Sequence, residues 1–369
     1  MQTQPVICPV DYVKENFPFT RQELQPVLDF LHTSQPLPAA DLPFPVGTVT
    51  ADGRLDMCKR QLGIEGMQLV ADALKHNHTI KHILLGTNAF GNTGAEAVAG
   101  LLKVNNTIET VYLGCNYIEE EGCAAICEAL EQNHTVKSTW FKRNPVGQQG
   151  VAAVIRLLQK NPHIRTVDLV NIGAGQALPA LLEALANNNT VERLYLSGNY
   201  LTAEDMRYVN HLLLHNRHLK ALYLSVNNIG DKGVEYLLPG LMVNSALEEL
   251  SLASCGITNK GMEQLFAVLG NNKNLRSLDL GYAPSTRVLG AKANEFTGAA
   301  ATLLTAYIAA QPQLTFLDLT RTQLPEAVKA AVYNTMLKRE GASVVMDGYA
   351  TENAKPTHPD SRAIKSVYR

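Results

Sequence analysis

One unit of about 28 residues recurs along this chain, and that period restricts the available folds more than any other feature. Copies start at Ile80, Ile108, Val136, Ile164, Val191, Leu219, Leu247, Leu275 and Leu314, at spacings of 28, 28, 28, 27, 28, 28, 28 and 39 residues. A degenerate copy starts at Asp52, with Leu55 and Met57 in its apolar slots, so ten units span about residues 52–343. The first half of each unit alternates with period two, as in Leu194/Leu196, Leu222/Leu224, Leu250/Leu252 and Leu278/Leu280. That alternation predicts a short strand. The second half spaces apolar residues three and four apart, as in Val234, Leu237, Leu238 and Leu241, or Met262, Leu265, Phe266 and Leu269. That spacing predicts a helix. Cys123, Ile126, Cys127 and Leu130 fill the same slots, so both cysteines are expected as buried thiols and not as metal ligands. Strand-plus-helix units that each bury a face on the next build an α/β solenoid.

Between strand and helix an asparagine recurs, at Asn88, Asn116, Asn144, Asn171, Asn199 and Asn227; Cys255 replaces it in the next unit. A side chain that both donates and accepts suits the backbone groups of turns between stacked units. The full pattern, LxxLxLxxN-x-I-xxxG-xxx-L-xxxL-xxN, resembles leucine-rich repeats of the ribonuclease-inhibitor subfamily. Relatives with this repeat include the sensor regions of NOD-like receptors and the GTPase-activating protein of Ran. The resemblance covers about four-fifths of the chain. It implies a leucine-rich repeat horseshoe with parallel strands on the concave face and helices on the convex face. It implies a mode of use, not a partner.

The flanks are expected to serve the repeats. Residues 1–51 read as an N-terminal helical cap and proline-rich connector, with capping-box spacing at Thr20-Arg21-Gln22-Glu23 and a helix over roughly 21–33. The unit starting at Leu275 is 11 residues longer than the period, and the extra length falls near 283–296, with Arg287 and Lys292 making it basic. Residues 343–346 (SVVM) read as a closing strand, and 344–369 as that strand plus a tail made basic by Arg362, Lys365 and Arg369.

The residue between the two leucine-like slots of each strand leaves from the opposite face. In order these residues are Leu84, Tyr112, Trp140, Asp168, Tyr195, Tyr223, Ser251, Asp279 and Asp318. They are expected as one contiguous exposed row on the concave surface, aromatic at first and acidic at its end. Outward neighbours add Arg193, Glu249, Ser277 and Phe316, and Lys142 and Arg143 follow Trp140 closely. Exposed Tyr and Trp mark binding hot spots, although aromatics also fit pleated strands with no ligand at all. The expected site therefore takes a protein or peptide on Tyr112, Trp140, Tyr195 and Tyr223, flanked by Lys142, Arg193, Asp279 and Asp318.

Other function classes find little support. With 32 basic and 34 acidic side chains the net charge is −2, which argues against gripping nucleic acid. The apolar runs are too short for a membrane span. No GxxxxGK[ST], HExxH, GxSxG or paired CxxC is present, so neither a cofactor nor a metal nor a catalytic residue is expected. His211 and His215 are four apart, but no third ligand stands beside them. Sequon-like triplets at Asn77, Asn105, Asn133 and Asn188 all fall just after the helix, where asparagine tolerates the left-handed conformation. The N-terminus lacks the pattern of a secretory signal, which points to the cytoplasm and leaves open export as an effector without a cleaved signal. The expected function is a non-enzymatic protein-binding scaffold, such as an inhibitor, a sensor or a host-directed bacterial effector. The alternative is a GTPase-activating protein for a small GTPase, for which Arg143 and Arg287 are the candidate arginines. The oligomeric state is left open.

Overall fold

The structure, a computed structural model, describes residues 5–351 and Ile364. The chain divides into two compact units, Met1–Leu178 with His358–Arg369, and Pro179–Thr357.

The first unit opens with α1 (Arg21–His32), whose Thr20 cap and Glu23 exchange side-chain bonds with each other's backbone amides. A short antiparallel hairpin, β1 (Leu42–Pro43) and β2 (Thr48–Val49), then leads antiparallel into β3 (Arg54–Asp56). From there strand and helix alternate: α2 (Gly63–Leu74), β4 (His82–Leu84), α3 (Gly91–Leu102), β5 (Thr110–Tyr112), α4 (Glu120–Leu130), β6 (Ser138–Trp140), α5 (Gly147–Lys160) and β7 (Thr166–Asp168). Strands β3 to β7 are parallel and in one register, so Leu55, Ile83, Val111, Thr139 and Val167 stand side by side. Their side chains meet the apolar faces of the helices. In α4, Cys123, Ile126, Cys127 and Leu130 are all at most 1% exposed, which places both thiols in the core.

The second unit repeats the plan. After α6 (Leu178–Ala186) come β8 (Arg193–Tyr195), α7 (Met206–His215), β9 (Ala221–Tyr223), α8 (Gly230–Val243), β10 (Glu249–Ser251), α9 (Asn259–Leu269) and β11 (Ser277–Asp279). Then follow α10 (Gly298–Ala310), β12 (Phe316–Asp318), α11 (Glu326–Leu337), β13 (Ser343–Met346) and β14 (Tyr349–Ala350). Strands β8 to β13 are parallel in one register, and β14 turns back antiparallel on β13.

The strand–helix asparagines form a ladder. Asn116 donates from Nδ2 to the carbonyls of Leu85 (2.9 Å) and Leu113 (2.8 Å), while its Oδ1 accepts the Asn88 amide at 2.7 Å. Asn144 repeats this one unit on, accepting the Asn116 amide at 2.8 Å. In the second unit the Asn227 side chain accepts the Asn199 amide at 3.0 Å. At Cys255 the thiol takes over, donating to the Leu224 carbonyl at 3.4 Å. The next member is Asn294, which accepts the Cys255 amide at 3.1 Å and donates to Leu252 and Leu280. The 11 extra residues of this unit thus lie between its strand and its ladder asparagine. Replacing Asn116 by alanine strands buried backbone groups in two units and is expected to lower stability by about 2 kcal/mol in a urea titration. A midpoint unchanged from wild type would show that the ladder is ornamental.

Asn171 follows the one place where the period drops to 27, and its side chain bonds residues 5–7, accepting from the Ile7 amide at 2.8 Å and donating to the Pro5 carbonyl at 3.2 Å.

The sequon-like asparagines also differ from expectation. None of Asn77, Asn105, Asn133 and Asn188 has a left-handed backbone. They bridge units through their side chains. Asn133 donates to the carbonyls of Leu102 (2.9 Å) and Asn105 (3.0 Å) and accepts the amides of Thr135 and Val136 (2.9 Å each). Asn161, Asn216 and Asn244 play the same part without a sequon, so the hydrogen-bond role, not a glycan, explains the asparagine.

Candidate functional site

In the first unit Leu84, Tyr112, Trp140 and Asp168 stand in one register on the strand face opposite the helices, but they are not an exposed row. Exposure is 0% for Leu84, 4% for Tyr112, and 0% for both Trp140 and Asp168. The expectation that Tyr112 and Trp140 offer open docking surface is corrected here. Strand alternation decides the face from which a side chain leaves; it does not decide whether that face is open. Part of the cover is local. The Tyr112 ring lies along the strand ends over two glycines, where a β-carbon on Gly86 would come within 2.5 Å of the ring and one on Gly114 within 2.7 Å of the hydroxyl. Trp140 packs beside it with ring centroids 6.5 Å apart. Ile364, which belongs to the same unit, is itself only 2% exposed. Lys142 is half-buried, and burial holds its ammonium below the usual lysine range against the pull of Asp168.

The second unit keeps the expected geometry more closely. Tyr195 and Tyr223, Cα partners on β8 and β9, stack with ring centroids 4.2 Å apart and planes 4° from parallel. Both are half-exposed. One residue pair back on the same face, Arg193 reaches over Ala221 to Glu249, two strands away, with bonds of 2.9 and 3.0 Å. Alanine at 221 leaves that path clear, since two strand spacings amount to about 9.6 Å. Arg193 also donates to the Tyr223 hydroxyl at 2.6 Å, and that hydroxyl donates to Glu249. Burial opposes the arginine charge most strongly of any single cause, but the Glu249 bond together with the charges of Tyr195, Tyr223 and Glu249 outweighs it and raises Arg193 above its ordinary value. Burial likewise pushes the Tyr223 phenol well up, so it stays protonated. Arg193 is therefore a buried strut that fixes the tyrosine pair and not a free flanking charge.

Beyond the tyrosines the row turns acidic. Ser251 is buried and donates to Asp279 at 2.8 Å. Asp279 and Asp318 are half-exposed partners on β11 and β12. Asp318 accepts from the amide and hydroxyl of Thr320 at 2.9 and 2.8 Å. Phe316, expected as an outward neighbour, is only 4% exposed. The inserted loop packs back on the preceding unit, where the Ala283 amide and the Thr286 hydroxyl both donate to Ser254 Oγ, at 3.0 and 2.6 Å. Arg287 is exposed on this loop, whereas Arg143 is half-buried with a left-handed backbone. The His211 and His215 rings sit 4.2 Å apart, and His215 Nδ1 bonds the His211 carbonyl. Among the described residues no helix is long and apolar enough to cross a membrane.

A family model described as Leucine Rich repeat matches residues 76–99 and 104–127 in the first unit and 215–238 and 243–266 in the second. The fold is a leucine-rich repeat solenoid. Solved structures similar to these repeats include leiomodin-1 actin-binding site 2, at 22% identity and TM-score 0.33 over 38% of this chain and 75% of that one. The tropomodulin C-terminal domain of Caenorhabditis elegans is similar at 13% identity and TM-score 0.36, over 45% of this chain and 93% of that one. A chain of the yeast Rad7 and Elc1 complex is similar at 15% identity and TM-score 0.49, over 83% and 78%. No curated protein matches the chain. What the leucine-rich repeats add to the site is a rigid ladder of strands that holds each row side chain at a set spacing.

Proposed function

We propose that this protein is a non-enzymatic interaction scaffold that binds a protein or peptide on the strand face of its second unit. The observation that carries this reading is the half-exposed Tyr195–Tyr223 stack in register with the half-exposed Asp279 and Asp318. A flat aromatic pair held by a buried arginine loses little entropy on binding, and adjacent carboxylates favour lysine or arginine on the partner. In this reading the repeats are of the ribonuclease-inhibitor type and span 52–343, residues 1–51 serve as cap and connector, and 344–369 close the stack. The tail residues Arg362, Lys365 and Arg369 lie outside the described residues.

Affinity capture with the wild-type chain and with Asp279→Asn/Asp318→Asn tests the reading. The double variant is expected to lose its captured partner at least tenfold, and more at low than at high salt. Tyr195→Ala should do the same without salt dependence. Equal capture by all three chains would overturn it.

A further inference from the structure

The strand face of the first unit is closed by something that the repeat pattern does not supply. Thr110, Ser138 and Thr166, Cα partners on β5 to β7, stand two residues before Tyr112, Trp140 and Asp168 and leave from the same side. All six are buried, as is Leu84. Neighbours in a row flank a side chain at about 4.8 Å, but they do not cover its tip. In the second unit the same register leaves Tyr195, Tyr223, Asp279 and Asp318 half-exposed. The difference therefore lies in what rests on the first unit and not in its strands.

The described parts of this unit outside its repeats are few, and most are engaged elsewhere. Helix α1 packs on α2. Strands β1 and β2 extend the sheet beyond β3. Residues 5–17 form neither helix nor strand and bond to strand–helix loops and the start of α2. There the Lys14 amide donates to the Ala89 carbonyl and the Lys14 carbonyl accepts the Ile64 amide, both at 2.8 Å, while Asn171 holds Pro5 and Ile7. What remains is Ile364, which belongs to this unit and is 2% exposed. An isoleucine reaches that burial against apolar surface.

We propose that Ile364 is an exchangeable plug on the strand face of the first unit, an autoinhibitory contact made in cis. It seals Tyr112 and Trp140, and when it leaves, the face takes an aliphatic side chain of a partner peptide. The chemistry of the face fits such an occupant. Leu84 and the rings of Tyr112 and Trp140 stand in one register on adjacent strands, the two rings 6.5 Å apart. Beside them Thr166 Oγ1 is enclosed and makes no hydrogen bond among the described residues. A polar cover would bond that hydroxyl, whereas an aliphatic one leaves it as it is. This surface is distinct from the tyrosine and carboxylate surface of the second unit, which stays half-open.

Trp140 is the only tryptophan of the chain, so its fluorescence reads the plug directly. In the full-length chain Ile364→Asp is expected to shift the emission to the red and to raise acrylamide quenching about threefold, with far-UV circular dichroism unchanged. Ile364→Val keeps a branched aliphatic side chain and should stay close to wild type. A synthetic peptide of residues 358–369, added at about 5 mM, the order of effective concentration that a covalent tether supplies, should return the quenching of Ile364→Asp to the wild-type level. The same peptide carrying Ile364→Asp should not. An aliphatic diazirine side chain placed at position 364 should crosslink on irradiation to peptides within residues 108–170, a readout that needs no destabilising change. Unchanged quenching in Ile364→Asp, rescue by both peptides or by neither, or crosslinks confined to other residues would each overturn the plug. Partner capture by the second unit is a separate readout, so failure there leaves this result standing.

Discussion

Trp140→Ala is expected to lower the stability of the first unit by about 3–5 kcal/mol, because it removes the largest fully buried side chain of the molecule. The indole is at 0% exposure beside Tyr112, so truncation leaves a cavity that the strand register does not let collapse. Urea denaturation, followed by far-UV circular dichroism because the variant has lost its only tryptophan, measures this directly. Trp140→Phe keeps most of the volume and should cost clearly less. If Trp140 were instead an open docking residue, alanine would leave the urea midpoint where it is and weaken only binding. An unchanged midpoint therefore rejects the buried assignment.

The second large effect belongs to Arg193. Arg193→Met is expected to cost about 3 kcal/mol, since it removes two hydrogen bonds to Glu249 and one to the Tyr223 hydroxyl from a strut that is almost fully enclosed. Most of that loss should come from leaving Glu249 without its guanidinium, not from the net strength of the pair. Arg193→Met/Glu249→Leu should accordingly recover much of the stability, with a coupling measurable as a double-mutant cycle. Additive losses in the double variant would mean that the pair does not act as a unit. The single variant should also loosen the Tyr195–Tyr223 stack and reduce capture of a partner beyond what its stability loss explains.

Much of the fold was legible because two periodicities, two and 3.6, alternate inside one 28-residue unit. Leu194, Leu222, Leu250 and Leu278 could be assigned to one register, and Cys123 and Cys127 to the core, from spacing alone. The ladder asparagines were legible as a type and not at every position. Asn171 shares the local pattern but follows a 27-residue step, and its bonds to residues 5–7 were not legible, while Asn294 sits beyond an insertion where no pattern pointed to it. Residues 5–17 carry no periodicity, and their contacts with Asn171, Ala89 and Ile64 join residues far apart in sequence.

The candidate site divides along the same line. The order of side chains along the strands determined that Tyr112, Trp140, Tyr195, Tyr223, Asp279 and Asp318 share the face away from the helices, because a pleated strand alternates without exception. Only the tertiary structure decided which of them meet solvent. Tyr112 folds over glycines and Trp140 is sealed, whereas the second unit leaves a tyrosine pair and two carboxylates half-open. The physical reason is that alternation is a property of one strand's backbone, while exposure depends on every other segment that comes to rest against it.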